Sequence, residues 1–230
     1  MRMEASYLFF FALLVANVTS GAAQNTSQFH HFWLVQVWPH GYCIEVECAR
    51  RSRIFVLHGL WPVNSRGQTL QGTNKSDPTI LASLRNDKSL WKNLMYYWLS
   101  LSTWDERKLP NFWIYEWRIH GSAAQEFIDP SDYFRRAVEL TRYTDLLNTL
   151  GRAGIVANGS SYDKNDYKRA IKAKTGYDPV LSCVFNNSHY HLKEVTICVN
   201  AEATNFIPCT PRPGSCRLQS IKFPRPVIKK

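Results

Sequence analysis

The sequence lacks a CxxC pair and, beyond its first residues, any long hydrophobic run. A membrane-spanning helix needs about 20 consecutive apolar residues, so no membrane anchor is predicted. Structural zinc sites commonly pair their cysteines closely in sequence, which argues against a zinc site here. No repeat, low-complexity tract or linker divides the sequence either, and one domain is therefore expected.

Acidic residues are scarce relative to basic ones. The 230 residues include 28 Lys and Arg against 18 Asp and Glu, a formal net charge of +10. Basic secreted proteins meet phosphate polymers, anionic glycans or membrane surfaces, whereas a charge excess can also serve solubility alone. Charge by itself leaves both interpretations open. Basic residues also recur between prolines near the C-terminus, which predicts a mobile basic tail.

The N-terminal residues have the layout of a secretory signal peptide. Arg2 precedes an apolar run over residues 7–16, and small residues follow up to Ala23. We therefore predict a signal peptide over 1–23, a single domain over 24–230, and secretion. Four N-glycosylation acceptors follow the predicted cleavage site, at Asn25, Asn74, Asn158 and Asn186.

The sequence has six cysteines, and none lies between Cys48 and Cys183. A secreted chain with an even number of cysteines is expected to form disulfides, here three. Cys43 and Cys48 close a tight local loop. The remaining four, at 183, 198, 209 and 216, permit three different pairings.

Hydrophobic patterns predict an α+β fold. Aromatic and branched residues predict strands over 31–38 and 53–61, and later strands over 180–185 and 193–199 around a turn. Apolar spacing predicts a helix or a broken pair of helices over 79–99, a helix capped by Ser131 and ended by Gly151, and a helix over 162–175.

Two segments could carry chemistry. The stretch "FVLHGLWP" over 55–62 places His58 at the end of an apolar strand, where it is either a titrating group or a packed structural histidine. The stretch "FWIYEWRIHG" follows Pro110 and has helical spacing. Phe112, Glu116 and His120 share one stripe of that helix, and two tryptophans on the neighbouring stripe can anchor it in the core.

Two histidines and a glutamate suit acid/base cleavage of RNA. One imidazole removes the 2'-hydroxyl proton and the other protonates the leaving 5'-oxygen. The same trio of His58, Glu116 and His120 could instead bind a catalytic zinc ion. Spacing alone does not separate these alternatives.

The two stretches resemble the active-site signatures of the secreted T-two type ribonucleases, usually written around HGLWP and HEWxKHG. The resemblance extends to the opening "FWLVQVWP", the loop closed by Cys43 and Cys48, and the four late cysteines. The strong positive charge resembles the S-RNases, the pistil ribonucleases of gametophytic self-incompatibility in flowering plants. The resemblance implies a central, mainly antiparallel sheet with several helices, and a metal-independent endoribonuclease that forms a 2',3'-cyclic phosphate without a cofactor.

The resemblance also implies residue roles. His58 matches the general acid, His120 the general base, and Glu116 the carboxylate that assists at the phosphate. Phe112 matches a base-stacking aromatic, and Trp61 lies in the substrate wall. Tyr115 stands at a substrate position where many members have a third histidine. The family's disulfide pattern pairs Cys43 with Cys48, Cys183 with Cys216, and Cys198 with Cys209.

This sequence departs from the family at several positions. Ile119 replaces a lysine that would stabilise charge on the phosphoryl oxygens, and Arg118 beside it points about 100° away on a helix. Val37 replaces a base-contacting glutamine. The cysteine that usually follows the second signature is missing, as is its partner in the loop after the first, so one family bridge is lost as a pair.

Two hypotheses on the biological role follow. The first is a secreted, extracellular S-RNase of the style matrix that acts as a monomer, with RNA as substrate and pollen F-box proteins as partners. The second is a catalytically weakened relative that serves as a recognition or storage protein, a role suggested by Ile119 and the lost bridge.

Overall fold

The computed structural model describes residues 28–73, 77–210 and 214–227. The predicted signal peptide, Asn25 and Asn74 lie outside these ranges. Asn158 and Asn186 lie within them and are exposed. No helix in the described part of the chain is long and apolar enough to cross a membrane.

A six-stranded, mainly antiparallel sheet forms the centre of the fold, which confirms the predicted α+β class. Its strands are β1 His31–Val37, β2 Val56–Val63, β3 Ser161–Asp163, β4 Val180–Asn186, β5 His189–Val199 and β6 Ser220–Lys222. The order is β2-β1-β5-β6-β3, and β4 pairs with the other edge of β5. Only the pairing of β5 with β6 is parallel among the described strands. Asn187 and Ser188 join β4 to β5 with positive φ angles, as a tight hairpin turn requires.

Seven α-helices surround the sheet in the described part of the chain. They are α1 Pro39–Tyr42, α2 Pro78–Asn86, α3 Lys88–Tyr97, α4 Leu109–Ile119, α5 Pro130–Thr144, α6 Leu146–Arg152 and α7 Lys164–Thr175. Short 3₁₀ helices at Glu106–Lys108 and Gly121–Ala124 flank α4. The pattern over 79–99 therefore corresponds to a pair of helices that break at Asp87, whose carboxylate accepts from the Leu90 amide and caps α3.

The helix predicted from Ser131 to Gly151 is wrong at its start and in its middle. Its N-cap is Asp129, which accepts a hydrogen bond from the Asp132 amide. Asp145 then takes a left-handed conformation with φ of 35° and divides the segment into α5 and α6. Aspartate tolerates this conformation better than most residues, which the apolar spacing does not reveal.

Aromatic side chains dominate the core between the sheet and helices α3, α4 and α5. Trp98, Trp113, Tyr133 and Phe134 are fully buried there together with Phe32 of β1. Removing an aromatic side chain of this size from water contributes roughly 4–6 kcal/mol. A second cluster around Trp38 and α7 continues along the same face, because Ile197 and Val195 of β5 oppose Leu34 and Gln36 of β1.

The C-terminal segment is not the free tail that the basic residues predict. Residues 220–222 form β6, and Ile221 and Phe223 are fully buried in the second cluster. Phe223 packs against Trp38, whose indole donates to the carbonyl of Pro224 at 2.9 Å. Apolar residues between the cations therefore anchor this segment.

Three disulfides stabilise the chain, and the described residues include no free cysteine. They join Cys43 to Cys48, Cys183 to Cys216, and Cys198 to Cys209. These are the pairs that the resemblance implies.

Candidate active site

His58 occupies a β-bulge in β2. Leu57 opposes Gln36 and Gly59 opposes Val35, so His58 is the extra residue between two regular pairs. A bulge twists the strand and redirects a side chain, and bulges are common beside active sites. Two hydrogen bonds connect the backbone of His58 to helix α4. The Trp98 indole donates to the His58 carbonyl, and the Trp113 indole donates to the Trp98 carbonyl. The core thus fixes the point from which this imidazole projects.

The imidazole of His58 meets a carboxylate from β5. Its Nδ1 lies 2.8 Å from Oε1 of Glu194, and both side chains are only partly exposed. Glu194 was not predicted from the sequence as a site residue, and it lies 136 residues from His58 along the chain. The two residues meet because Glu194 opposes Val37 on β1, and β1 pairs with β2. Only the strand register brings them together.

Trp61 links the two predicted catalytic histidines. Its ring centroid lies 4.9 Å from that of His58 and 5.3 Å from that of His120. The indole packs back over Gly59, where an added Cβ would lie 2.2 Å from the indole nitrogen and 3.1 Å from Oε2 of Glu116. A side chain at this position would therefore collide with Trp61, and glycine lets the indole approach Glu116.

Helix α4 delivers Glu116 and His120 to the site. Pro110 stands in its first turn, and Trp113 and Trp117 are buried as the helical spacing predicts. Glu116 is buried on the same helix, and His120 is the residue at which the helix ends. The anchored tryptophans thus place the acid and the imidazole at the sheet.

Burial changes the protonation of both groups on α4. It raises the pKa of Glu116 to about 7, although the positive charge of His58 and the Trp61 indole N–H oppose the shift. Burial, together with the charge of His58, lowers the pKa of His120. No described residue hydrogen-bonds to Nδ1 of His120. At neutral pH this imidazole is therefore held in its neutral, basic form.

A cavity of about 340 Å³ opens beside His58. Its walls include Val37, Tyr42, Leu99, Leu101 and Phe112. A mainly apolar cavity with two aromatic side chains suits a planar ring, and Glu47, Ser100 and Ser102 supply polar groups to its lining. The two imidazoles thus lie beside one indole, and a cavity opens next to His58.

Two other predicted positions lie at the margin of the site. Tyr115 is exposed on α4 and, in the part of the chain that the structure describes, makes no ring contact with either histidine. Ile119 is half-buried and supplies only its carbonyl, which accepts from the amide of Gly72 at 2.7 Å.

Hydrogen bonds join the loop after β2 to the end of α4, where the family bridge is missing. Thr73 donates its amide to Oγ of Ser122 at 2.8 Å, and Ser122 donates to the carbonyl of Arg118 at 3.1 Å. An added Cβ on Gly72 would lie 2.2 Å from that same carbonyl, so the close approach requires glycine. These contacts, here called the Thr73–Ser122 clasp, hold the segment that carries His120.

The positions of His58, Glu116 and His120 can be compared with those of a zinc site. Within residues 28–73, 77–210 and 214–227, no three His, Cys, Asp or Glu side chains lie close enough together to hold a metal ion. His58, Glu116 and His120 therefore do not form the ligand set that their spacing left open, and the indole of Trp61 contacts both imidazoles.

Residues 29–209 match the model of the Ribonuclease T2 family. Extracellular ribonuclease LE of Solanum lycopersicum is 29% identical over 97% of this chain and 99% of its own length. Ribonuclease S-2 of Antirrhinum hispanicum is 29% identical over 96% of this chain and 93% of its own. The solved structure of RNase NT in complex with 5'-AMP has a TM-score of 0.72 and 28% identity, covering 86% of this chain and 98% of that chain. The match spans most of the sequence and includes both histidine signatures, and the chain therefore belongs to the Ribonuclease T2 family.

Proposed function

We propose that this endoribonuclease cleaves single-stranded RNA with His120 as general base and His58 as general acid. The neutral imidazole of His120 removes the proton from a 2'-hydroxyl, and the 2'-oxygen attacks the adjacent phosphorus. The bond to the 5'-oxygen breaks, and protonated His58 donates a proton to that oxygen. The products are a 2',3'-cyclic phosphate and a free 5'-hydroxyl. The observation that carries the proposal is the contact of both imidazoles with the indole of Trp61. His58 also contacts a carboxylate, whereas burial lowers the pKa of His120.

Glu116 assists at the phosphate in its protonated form. With a pKa of about 7, the carboxyl retains its proton over much of the acidic to neutral range. A neutral carboxyl can donate a hydrogen bond to a phosphoryl oxygen, whereas a carboxylate would repel it. This donor partly offsets the absence of the family lysine at Ile119.

The cavity beside His58 receives the base on one side of the scissile phosphate. Phe112 stacks on the base, in keeping with the tolerance of aromatic stacking for any base. Val37 offers no hydrogen bond, so this wall does not discriminate between bases. We propose that Trp61 forms the wall on which the ribose and phosphate lie.

A metal-free cleavage assay tests the reaction. Purified protein is incubated with a single-stranded oligoribonucleotide in the presence and absence of a chelator, and the products are identified by mass. We expect equal cleavage in both, with 2',3'-cyclic phosphate ends, and no cleavage of the matched deoxyribonucleotide. A correctly folded protein that does not cleave RNA would instead support the recognition or storage role.

The biological role that we propose is that of a secreted S-RNase. The net charge of +10, the predicted signal peptide and the similarity to Ribonuclease S-2 support it. The enzyme would then act as a monomer in the extracellular matrix of the style and meet pollen F-box proteins. N-terminal sequencing of the protein purified from pistils should begin near residue 24, and silencing its transcript in the pistil should abolish rejection of one class of pollen. Unchanged rejection would contradict this role.

A further inference from the structure

Glu194 is the charged side chain that meets His58 from the sheet. Its Oε1 lies 2.8 Å from Nδ1 of His58, and the two side chains are 14% and 30% exposed. Partial removal from water strengthens a hydrogen bond that involves a charged group. The contact is therefore stronger than an ion pair on the open surface.

The backbone makes this contact rigid. Glu194 lies in β5, which pairs with β1 on one side and with β4 on the other, so that Val37, Glu194 and Ser182 form one cross-strand row. His58 projects from the bulge of β2 on the far side of β1. Both partners thus belong to the hydrogen-bonded sheet and depend on no loop.

Other charged groups surround this contact, since Glu47 lines the cavity beside His58 and the charge of Lys193 also acts on Glu194. The neighbouring Lys193 pairs with Glu45 at 2.6 Å and lies 5.5 Å from the ring centroid of Tyr42, which itself packs edge-on against His58. Glu116 and His120 face His58 from α4. Among the described residues, His58 is the only ion-pair partner of Glu194.

The contact selects one tautomer of His58. An ionised carboxylate can only accept hydrogen bonds, so Nδ1 of His58 carries the hydrogen in this contact. The second nitrogen, Nε2, then carries a proton in the imidazolium and becomes the basic nitrogen once that proton has left. This is the arrangement that a general acid needs, because the neutral product of proton transfer is already hydrogen-bonded to Glu194.

We propose that Glu194 is a positioning residue, which fixes the Nδ1–H tautomer of His58 and stabilises its protonated form so that Nε2 faces the leaving oxygen. The inference rests on the proposed function, in which His58 is the general acid. Removal of a partner that orients a functional imidazole typically costs about 10- to 100-fold.

Three substitutions separate the charge of Glu194 from its hydrogen bond. Glu194→Ala removes both and should lower kcat for RNA cleavage about 10- to 100-fold. Glu194→Gln keeps an acceptor of similar shape, and it should move the alkaline limb of the pH profile to lower pH while the tautomer persists. Glu194→Asp should recover part of the loss. Glu139→Gln is the matched control, because Glu139 pairs with Arg136 on the surface of α5 and not with His58, and its pH profile should equal that of the wild type.

A second measurement is independent of catalysis. The ¹⁵N NMR shifts of the His58 ring report the tautomer directly, and Glu194→Ala should convert Nδ1–H to a mixture with Nε2–H. A wild-type tautomer and a wild-type pH profile in Glu194→Ala would overturn the inference, as would an unshifted alkaline limb in Glu194→Gln. If the wild-type protein does not cleave RNA, the proposed function fails, whereas the NMR spectra still decide whether Glu194 sets the tautomer.

Discussion

The two histidines of the site have the same side chain and opposite surroundings. His58 projects from a sheet and donates Nδ1–H to a carboxylate, whereas His120 ends a helix, and burial and the charge of His58 lower its pKa. The first environment offers a carboxylate acceptor to the ring, and the second favours the neutral ring. Such a difference between neighbouring groups is how one fold keeps an acid and a base side by side. Position in the sheet or at the helix end, and not residue type, therefore distinguishes the roles that we propose.

Replacing either histidine by alanine should have the largest effect. We expect His58→Ala and His120→Ala each to lower kcat about 10²- to 10⁴-fold, since positioned proton transfer contributes that factor. If only one of the two substitutions lowered kcat, the proposal that the histidines act as an acid and base pair would be contradicted. His189→Ala is the control, because His189 is exposed in the hairpin between β4 and β5. Turnover of an oligoribonucleotide, together with circular dichroism, gives the comparison.

Glu116→Gln should change how stability depends on pH. The unfolded chain releases the Glu116 proton near the ordinary pKa of 4.5, and the folded protein near about 7. The folded state binds more protons between these values, so the free energy of unfolding falls as pH rises through this window and is level above it. The fall amounts to about 3 kcal/mol.

Glutamine cannot ionise, so the variant should lose this component of the pH dependence. Urea denaturation at pH 4.5 and 7.5 measures the difference between wild type and variant. Equal pH dependence in both proteins would show that the buried carboxyl does not keep its proton.

Ile119→Lys tests whether the site near His120 lacks a positive charge that would stabilise the phosphate. A lysine there should stabilise the negative charge that grows on the phosphoryl oxygens. We expect kcat to rise about tenfold, which corresponds to about 1.4 kcal/mol. Ile119→Met preserves size without charge and should leave kcat unchanged. An unchanged kcat in the lysine variant would mean that another cation already serves the phosphate.

Ser122→Ala should have the smallest effect, and it should act on the segment that carries His120 but not on His58. It removes the acceptor of the Thr73 amide and should destabilise the protein by about 1–2 kcal/mol. Amide hydrogen exchange should accelerate at His120 and Ala123, and remain unchanged at His58. Ser131→Ala is a suitable control, because Ser131 bonds Ser83 at the surface. Equal acceleration at both histidines would mean that the clasp supports the whole site.

Local patterns predicted the parts of the site that lie within one element. The helical spacing identified Glu116 and His120 with their buried tryptophans, and the first signature identified His58 with Trp61. Glu194 escaped because its approach to His58 depends on the pairing of three strands, which no local pattern encodes. For the same reason β6 was missed, since its partners are distant in sequence.

The Thr73–Ser122 clasp contains no sulfur, and this makes the two halves of the site unequal towards reductants. Of the three disulfides, the one between Cys43 and Cys48 closes the loop that carries Glu45, next to Tyr42 and the His58 side. In a reducing compartment that bridge would open by thiol exchange, whereas the hydrogen bonds at the end of α4 would not respond. Reduction would then loosen the loop beside His58, while the sheet still holds that imidazole and the end of α4 is unchanged.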